Sequence, residues 1–136
     1  IVNSIMGSIS SQFGFELSIE IILGYIFAPI AWLMGIPWSE AVISGELLGI
    51  KTTLNEFVAY PALAALENGE LSERSKLITF YSLCGFANLS SVGILISGIT
   101  AMAPERKDDL INVSFKALVG ATLASCMTGL IVGIFI

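Results

Sequence analysis

The residue that most clearly could bind a ligand is a carboxylate in an apolar stretch. Glu56 lies in residues 38–67, WSEAVISGELLGIKTTLNEFVAYPALAALE, where Glu46, Lys51 and Asn55 are also polar but the flanks are apolar. A carboxylate at membrane depth costs at least about 2.5 kcal/mol unless it is paired or solvated. Glu56 is therefore a candidate ligand-binding residue, and a structural salt bridge to Lys51 is the alternative interpretation.

Two neighbours of this carboxylate are candidates for a supporting role. Asn55 is a favoured N-cap residue and stands before an apolar helical run. Capping a helix does not exclude contact with a ligand. Thr53 lies in the same short polar run. We therefore place Asn55 and Thr53 among the possible supporting residues.

A second polar group interrupts the uncharged stretch at residues 77–103. It comprises Asn88, Ser90 and Ser91, and glycines stand on both sides of it. Short hydrogen-bonding side chains and glycines are what a broken membrane helix needs, because its unwound backbone must be satisfied locally. Hydrogen bonding between helices, worth about 0.6 kcal/mol on average, is the alternative.

The two groups together indicate what kind of solute they could bind. One carboxylate, one amide and two hydroxyls, without a cluster of arginines or lysines, favour a neutral polyhydroxyl or amide-bearing solute over an anion. An ionised Glu56 only accepts hydrogen bonds, so it suits vicinal hydroxyls such as those of a ribose. A re-entrant segment followed by an interrupted helix is typical of the midplane binding site of a secondary transporter.

The composition places these residues in a membrane. The chain has 136 residues, of which 55% are hydrophobic and 12% are charged, against about 25% charged in an ordinary soluble domain. It has no histidine, and Cys84 and Cys126 lack the spacing of a zinc or disulfide motif. We therefore predict no metal site, no cofactor and no catalytic residue in it. The net charge of −5 argues against nucleic acid as a partner.

The elements that must position these residues are all helical. The predicted fold class is an all-α integral membrane protein with a re-entrant helical hairpin and with broken and continuous transmembrane helices. The hairpin fits because 38–67 is too polar for a simple span and divides near residues 52–55 into two legs of about 20 Å each. The predicted segments are a preceding helix end or interfacial segment at 1–14, a kinked span or interfacial helix at 15–36, the hairpin at 38–67, a broken transmembrane helix at 77–103 and a last transmembrane helix at 112–136.

The beginning of the sequence suggests a part of a longer protein. The chain begins at Ile1, not at methionine, in the middle of an apolar pattern and without the basic region of a signal peptide. At about 20 residues for each spanning helix, 136 residues hold about four membrane elements. We therefore expect further membrane elements outside the chain.

Several motifs resemble those of the concentrative nucleoside transporter family. The matching pieces cover the chain from about residue 15 to its end. They are LGYIFAPIAWLMGIPW at 23–38, GIKTTLNEFVAY at 49–60, CGFANLSSVGI at 84–94 and MAPERKDD at 102–109. The NEF and GFANxSS motifs occur in the order that the family has.

The resemblance implies a role for four residues. Glu56 of NEF resembles the hairpin carboxylate that binds ribose hydroxyls. Asn88 of GFAN and Ser91 of the serine pair resemble ribose-contacting residues of the broken helix, with Ser90 as a possible supporting residue. Phe86 resembles an aromatic residue that lines the nucleoside site.

The resemblance also implies a mechanism and an assembly. In that family two inverted repeats, each with a re-entrant hairpin, form the transporter, which works as a homotrimer by alternating access. This chain would be the second repeat of such a protein in the plasma membrane, or the inner membrane of a bacterium. A sodium or proton gradient would drive uptake, and the first repeat would bind the cation and recognise the base. The alternatives are a carrier of another neutral polar solute and a structural or accessory membrane subunit; an enzyme is not predicted.

Overall fold

The computed structural model describes residues 19–67 and 69–136. The segment predicted at 1–14, and the first four residues of the one predicted at 15–36, lie outside the described residues. The described part is helical. Its α-helices are α1 Ile19–Leu33, α2 Trp38–Thr53, α3 Glu56–Ala65, α4 Glu73–Leu83, α5 Leu89–Met102 and α6 Lys107–Phe135, and a short 3-10 helix, Pro104–Arg106, precedes α6.

The predicted all-α fold class, with a hairpin and broken and continuous helices, is confirmed. Among the described residues one helical stretch, Pro104–Phe135, is long and apolar enough to cross a membrane unaided. Helices α1 and α2 form a bent pair with an angle of 118°. Helix α5 is apolar but too short to cross a membrane alone.

The bend between α1 and α2 depends on glycine. Gly35 has a φ of +93°, a conformation that side chains with a Cβ atom rarely adopt. After the bend the two helices lie close together, since a Cβ atom added to Gly45 would overlap the carbonyl oxygen of Gly24. This contact packs α2, the first leg of the hairpin, tightly against α1. Whether α1 spans the membrane or lies at its surface stays a prediction.

The hairpin turns between α2 and α3. Leu54 and Asn55 separate the two helices, within the region where the sequence predicts the turn. The hydroxyl groups of Thr52 and Thr53 donate to the carbonyl oxygens of Leu48 and Gly49 in the preceding turn of α2. The two threonine hydroxyls near the tip are thus satisfied within the helix that carries them.

Helices α4 and α5 are the two halves of one interrupted element. Residues 84–88 between them are not helical. Helix α4 begins at Glu73, a few residues before the predicted start at 77, because the hydroxyl of Ser72 accepts a hydrogen bond from the backbone N–H of Ser75 and caps the helix. The break falls where the polar group at 85–93 predicts it.

The core joins α1, α2, α3, α4 and part of α6, and leaves α5 on the outside. Its fully buried side chains include Ala31, Leu48, Ala59 and Ile78. Helix α5 has no buried residue. Large apolar side chains of α5 and α6, such as Ile94 and Phe115, are exposed. Such a surface needs lipid or further protein around it.

Candidate functional site

The centre of the site is a hydrogen bond between the hairpin and the broken helix. Glu56 is the first residue of α3, and Asn88 immediately precedes α5. The side-chain amide nitrogen of Asn88 donates to Oε2 of Glu56 at 3.1 Å. Both side chains are buried, with 6% and 2% exposed. Two residues that lie 32 positions apart in the sequence therefore form one polar unit.

Asn88 has a second partner that fixes its orientation. Its Oδ1 accepts a hydrogen bond of 2.7 Å from the backbone N–H of Ser91, which caps α5. The amide therefore points its oxygen at the start of α5 and its nitrogen at Glu56. The helix cap and the contact with the carboxylate depend on one side chain.

The start of α3 is built in the same way. Oδ1 of Asn55 accepts a hydrogen bond of 3.1 Å from the backbone N–H of Val58. Asn55 therefore caps the second leg of the hairpin, as its position in the sequence suggests. Each of the half-helices α3 and α5 starts beside Glu56 and Asn88, and the partial positive charge of a helix start favours a carboxylate there.

The other predicted site residues divide into two groups. Phe86, Asn88 and Ser91 line a common cleft of about 230 Å³ between α5 and α6. The ring of Phe86 is 70% exposed, so it is available for contact. Ser90 and Thr53 are not part of this cleft. The hydroxyl of Ser90 donates to the carbonyl oxygen of Leu54 at 3.2 Å and ties α5 to the hairpin turn, whereas the hydroxyl of Thr53 bonds within its own helix.

The salt bridge between Lys51 and Glu56 does not form. Lys51 is only 1% exposed, and its ammonium nitrogen has no hydrogen-bond partner among the described residues. In the described part of the chain, the ion pair that does form joins Arg106, at the end of the 3-10 helix, to Asp109 in the first turn of α6. Glu56 therefore keeps Asn88 as its side-chain partner, and Lys51 is buried without the ion pair that the alternative interpretation gave it.

Sequence reasoning also missed a contact between the hairpin and α4. The hydroxyl of Tyr60 donates to the carbonyl oxygen of Phe80 at 3.3 Å and lies 3.0 Å from the sulfur of Cys84. The Tyr60 and Phe80 rings also pack together, with centroids 5.1 Å apart. The only signal in the sequence was an aromatic residue four positions after Glu56. This contact holds the second leg against the end of α4.

Fold and site together define a class of protein. An apolar helical chain places the N-terminal ends of two half-helices, one from a hairpin and one from a broken helix, around a buried carboxylate and amide. This arrangement is typical of the solute site of a secondary membrane transporter.

The comparisons with known proteins agree with this class. The sequence profile of the family described as Na+ dependent nucleoside transporter C-terminus matches residues 1–133. The chain belongs to this family.

Similar proteins come from bacteria and mammals. The chain is 45% identical over 125 residues to Nucleoside permease NupC of Helicobacter pylori, a match that covers 89% of the chain and 30% of the permease. It is 41% identical over 148 residues to Solute carrier family 28 member 3 of Mus musculus, which covers 98% of the chain and 21% of that carrier. The chain thus spans about a third or less of the length of the relatives it matches.

Solved structures share the fold. The structure of CNTnw in an inward-facing substrate-bound state superposes with a TM-score of 0.90 at 41% identity, and covers 98% of the chain and 34% of CNTnw. The structure of a CNTnw variant in an intermediate state gives a TM-score of 0.91 with the same identity. The chain therefore shares its arrangement of hairpin and broken helix with the CNTnw structures.

Proposed function

We propose that the full-length protein to which this chain belongs carries nucleosides across a membrane, and that the chain supplies the half of the binding site that holds the ribose. The observation that carries this proposal is the buried hydrogen bond from Asn88 to Glu56. The names of its relatives, which include a nucleoside permease, support the solute class.

The geometry suits a sugar with adjacent hydroxyl groups. Oε2 of Glu56 accepts from Asn88, whereas its second carboxylate oxygen takes part in no hydrogen bond within the described part of the chain. A free carboxylate oxygen accepts hydroxyl donors strongly, at about 1.5–3 kcal/mol for each such bond. Ser91 adds a hydroxyl that both donates and accepts, and the exposed ring of Phe86 offers an apolar face beside it.

The mechanism in this proposal is uptake driven by a cation gradient, with alternating access to the site. The description of the family names Na+, which supports sodium as the coupling ion; a proton is the alternative. We expect the cation site and the residues that recognise the base in parts of the protein outside this chain. The proposal includes a homotrimer in the plasma membrane, or in the inner membrane of a bacterium.

The test is nucleoside uptake by the full-length protein with single substitutions at the site. Glu56→Gln removes the acceptor charge while keeping the shape, and Asn88→Ala removes the donor. Glu56→Gln loses the hydrogen bonds to a charged acceptor, and Asn88→Ala leaves Glu56 without its buried partner. We therefore expect each variant to lose at least about 99% of saturable uridine uptake. Glu105→Gln, in the exposed 3-10 helix before α6, is the matched control and should transport normally. Saturable uptake retained by both site variants, at normal membrane abundance, would overturn the proposal.

A third substitution separates capping from binding at Asn88. Asn88→Asp keeps an N-cap of equal quality but replaces the amide donor by a second carboxylate beside Glu56. We expect poor uridine binding and a lower melting temperature although the cap is kept, because two adjacent buried carboxylates repel each other. If the protein were instead a structural or accessory subunit, adding uridine would not change the melting temperature of the wild type or of any of these variants.

A further inference from the structure

Two side-chain hydrogen bonds join the tip of the hairpin to the start of α5. The first is the donation from Asn88 to Glu56 at 3.1 Å. The second runs from the hydroxyl of Ser90 to the backbone carbonyl oxygen of Leu54 at 3.2 Å. Leu54 lies in the turn between α2 and α3, and Ser90 is the second residue of α5. The hairpin tip is therefore held to the broken helix at two neighbouring points.

The carbonyl of Leu54 depends on this contact. Leu54 directly follows α2, and the carbonyl groups at the end of a helix have no N–H partner within it. Among the described residues, the hydroxyl of Ser90 is the group that donates to this carbonyl. At membrane depth an unpaired carbonyl is costly unless water reaches it. The tip therefore pairs with Ser90 when it is closed and needs water when it leaves α5.

Little else joins α5 to the hairpin. Helix α5 has no buried residue, and most of its contacts are with α6. The apolar side chains of Leu54, Phe57 and Val58 at the tip are exposed, so no packed apolar interface holds the tip in place. A contact made mainly of hydrogen bonds opens at small cost, because each such bond contributes little net stability in competition with water.

The rest of the hairpin is held more firmly. Helix α2 packs against α1 where Gly24 and Gly45 meet. Near the start of α2, Glu40 accepts two hydrogen bonds from Ser72. In the middle of α3 the hydroxyl of Tyr60 donates to α4. Of the parts of the hairpin, the tip is thus the one that can move while the legs stay in place.

The two bonds at the tip differ in what they share with the nucleoside. Glu56 and Asn88 are the groups that the proposed function assigns to the ribose. The carbonyl of Leu54 and the hydroxyl of Ser90 are not among them, and Ser90 does not line the cleft of the other site residues. The bond from Ser90 therefore stabilises the closed tip equally with and without a nucleoside. A contact that does not distinguish these two states leaves the binding equilibrium unchanged.

We propose that the hydroxyl of Ser90 is a latch for the hairpin tip: its hydrogen bond to Leu54 breaks each time a nucleoside enters or leaves the site. The inference rests on the proposed function. Ser90 is a positioning residue, because it does not touch the nucleoside and acts through the tip that carries Glu56. It controls the rates of binding and release, whereas the groups that touch the sugar set the affinity.

The experiment measures the binding of radiolabelled uridine to the purified full-length protein at saturating sodium. Equilibrium binding gives the Kd, a chase with excess unlabelled uridine gives the dissociation rate, and the association rate follows from the two. The variants are Ser90→Ala, which removes the hydroxyl, and Ser90→Thr, which keeps it. Ser97→Ala is the matched control, because the hydroxyl of Ser97 donates to the carbonyl of Gly93 within α5.

We expect a change in rates that a purely structural role would not produce. In Ser90→Ala the association and dissociation rates should both rise by the same factor, about three- to tenfold, which is the effect of one neutral hydrogen bond. The Kd should stay within about twofold of the wild-type value. The melting temperature should also stay near that of the wild type, since alanine favours a helix at this position. Ser90→Thr and Ser97→Ala should match the wild type in all of these measurements.

Ser91→Ala gives a comparison at the neighbouring residue. Ser91 lines the cleft, so the loss of its hydroxyl should weaken binding through faster release alone. Three results would each overturn the inference: unchanged rates in Ser90→Ala, a weakening in Ser90→Ala that follows the pattern of Ser91→Ala, or the same acceleration in Ser90→Thr or Ser97→Ala. Failure of the proposed function looks different, because the wild-type protein would then bind no uridine and both proposals would fall.

Discussion

The two ends of the hairpin treat their charged groups in opposite ways. We call the region where the hairpin meets the start of α4 the base end; it comprises Glu40, Ser72 and Arg74. There the Arg74 guanidinium donates to the carbonyl oxygens of Gly35 and Gly133, at 2.6 and 2.7 Å. At the site end, which comprises Lys51, Glu56 and Asn88, the carboxylate has one side-chain hydrogen bond and the ammonium has none among the described residues. Yet Arg74 is exposed and the groups of the site end are buried.

The base end has a second, similar contact. Oε2 of Glu40 accepts hydrogen bonds from the backbone N–H and the hydroxyl of Ser72, at 3.2 and 3.0 Å. Charges that water could solvate are therefore well paired, whereas charges hidden from water are poorly paired. For stability alone the opposite distribution would be expected, because an unpaired buried charge is the expensive one. The difference indicates that the base end holds the fold and that the site end keeps its bonding capacity for a ligand.

The largest expected effect is at the site end. Gly85→Ala places a Cβ atom onto the hydroxyl of Ser125 and 3.1 Å from its Cβ. Overpacking of this kind costs about 1–3 kcal/mol, and it would displace the break at 84–88, which carries Asn88. We expect uridine uptake to fall at least about tenfold, measured as initial rate for each membrane-inserted protein.

Two further variants sharpen this prediction. Adding Ser125→Ala to Gly85→Ala removes the overlapping oxygen but leaves the close Cβ atom, so uptake should recover in part. Gly98→Ala in α5 is the control, since nothing described lies within 4 Å of its added Cβ. Equal losses in Gly85→Ala and Gly98→Ala would show that the contact at the break is not the cause.

An intermediate effect is expected at the base end, and on stability alone. Arg74→Gln removes two charge-assisted hydrogen bonds to backbone carbonyls. Because Arg74 is exposed, we expect a loss of only about 1–2 kcal/mol, seen as a lower melting temperature. The KM for uridine should not change. Arg106→Gln, which breaks an exposed ion pair, should leave both quantities unchanged; a raised KM in Arg74→Gln would break the division between the two ends.

The smallest effect is expected at the cap of α4. Ser72→Ala removes the acceptor for the N–H of Ser75 and the hydroxyl donor to Glu40. Loss of an N-cap typically costs about 0.5–2 kcal/mol, and at this exposed position we expect the lower part of that range. Thermal melting measures it, with Ser72→Thr as the variant that keeps the cap. Normal uptake is expected in both.

The sequence predicts the parts of the site better than their arrangement. Polar residues inside apolar stretches indicate the hairpin and the broken helix, because backbone N–H and C=O groups at membrane depth must find hydrogen-bond partners nearby. The cap at Asn55 follows from residue type and from the helical run after it, whereas the cap that Asn88 makes for α5 was not predicted. The meeting of Glu56 with Asn88 does not follow from pattern alone, since packing between helices sets it.

Other features depend on distances that a sequence does not contain. A spacing of five residues across a turn leaves open whether Lys51 pairs with Glu56, and here the lysine turns to Gly85 instead. The close approach of α1 and α2 depends on which helix faces carry Gly24 and Gly45. The start of α4 was predicted too late, at 77 and not at Glu73, although Ser72 followed by Glu73 is a common beginning of a helix.

The two hydrogen bonds from Arg74 to Gly35 and Gly133, which we call the Arg74 clamp, have a consequence for the order in which the protein is assembled. Gly133 lies 59 residues after Arg74 in the chain. At about 5–20 residues per second, the ribosome adds Gly133 about 3–12 s after Arg74. When Arg74 is added to the chain, one of its two carbonyl partners, that of Gly133, has therefore not yet been made. We expect the completed clamp to form only after α6 has entered the membrane, so that insertion of the later helix locks the earlier one.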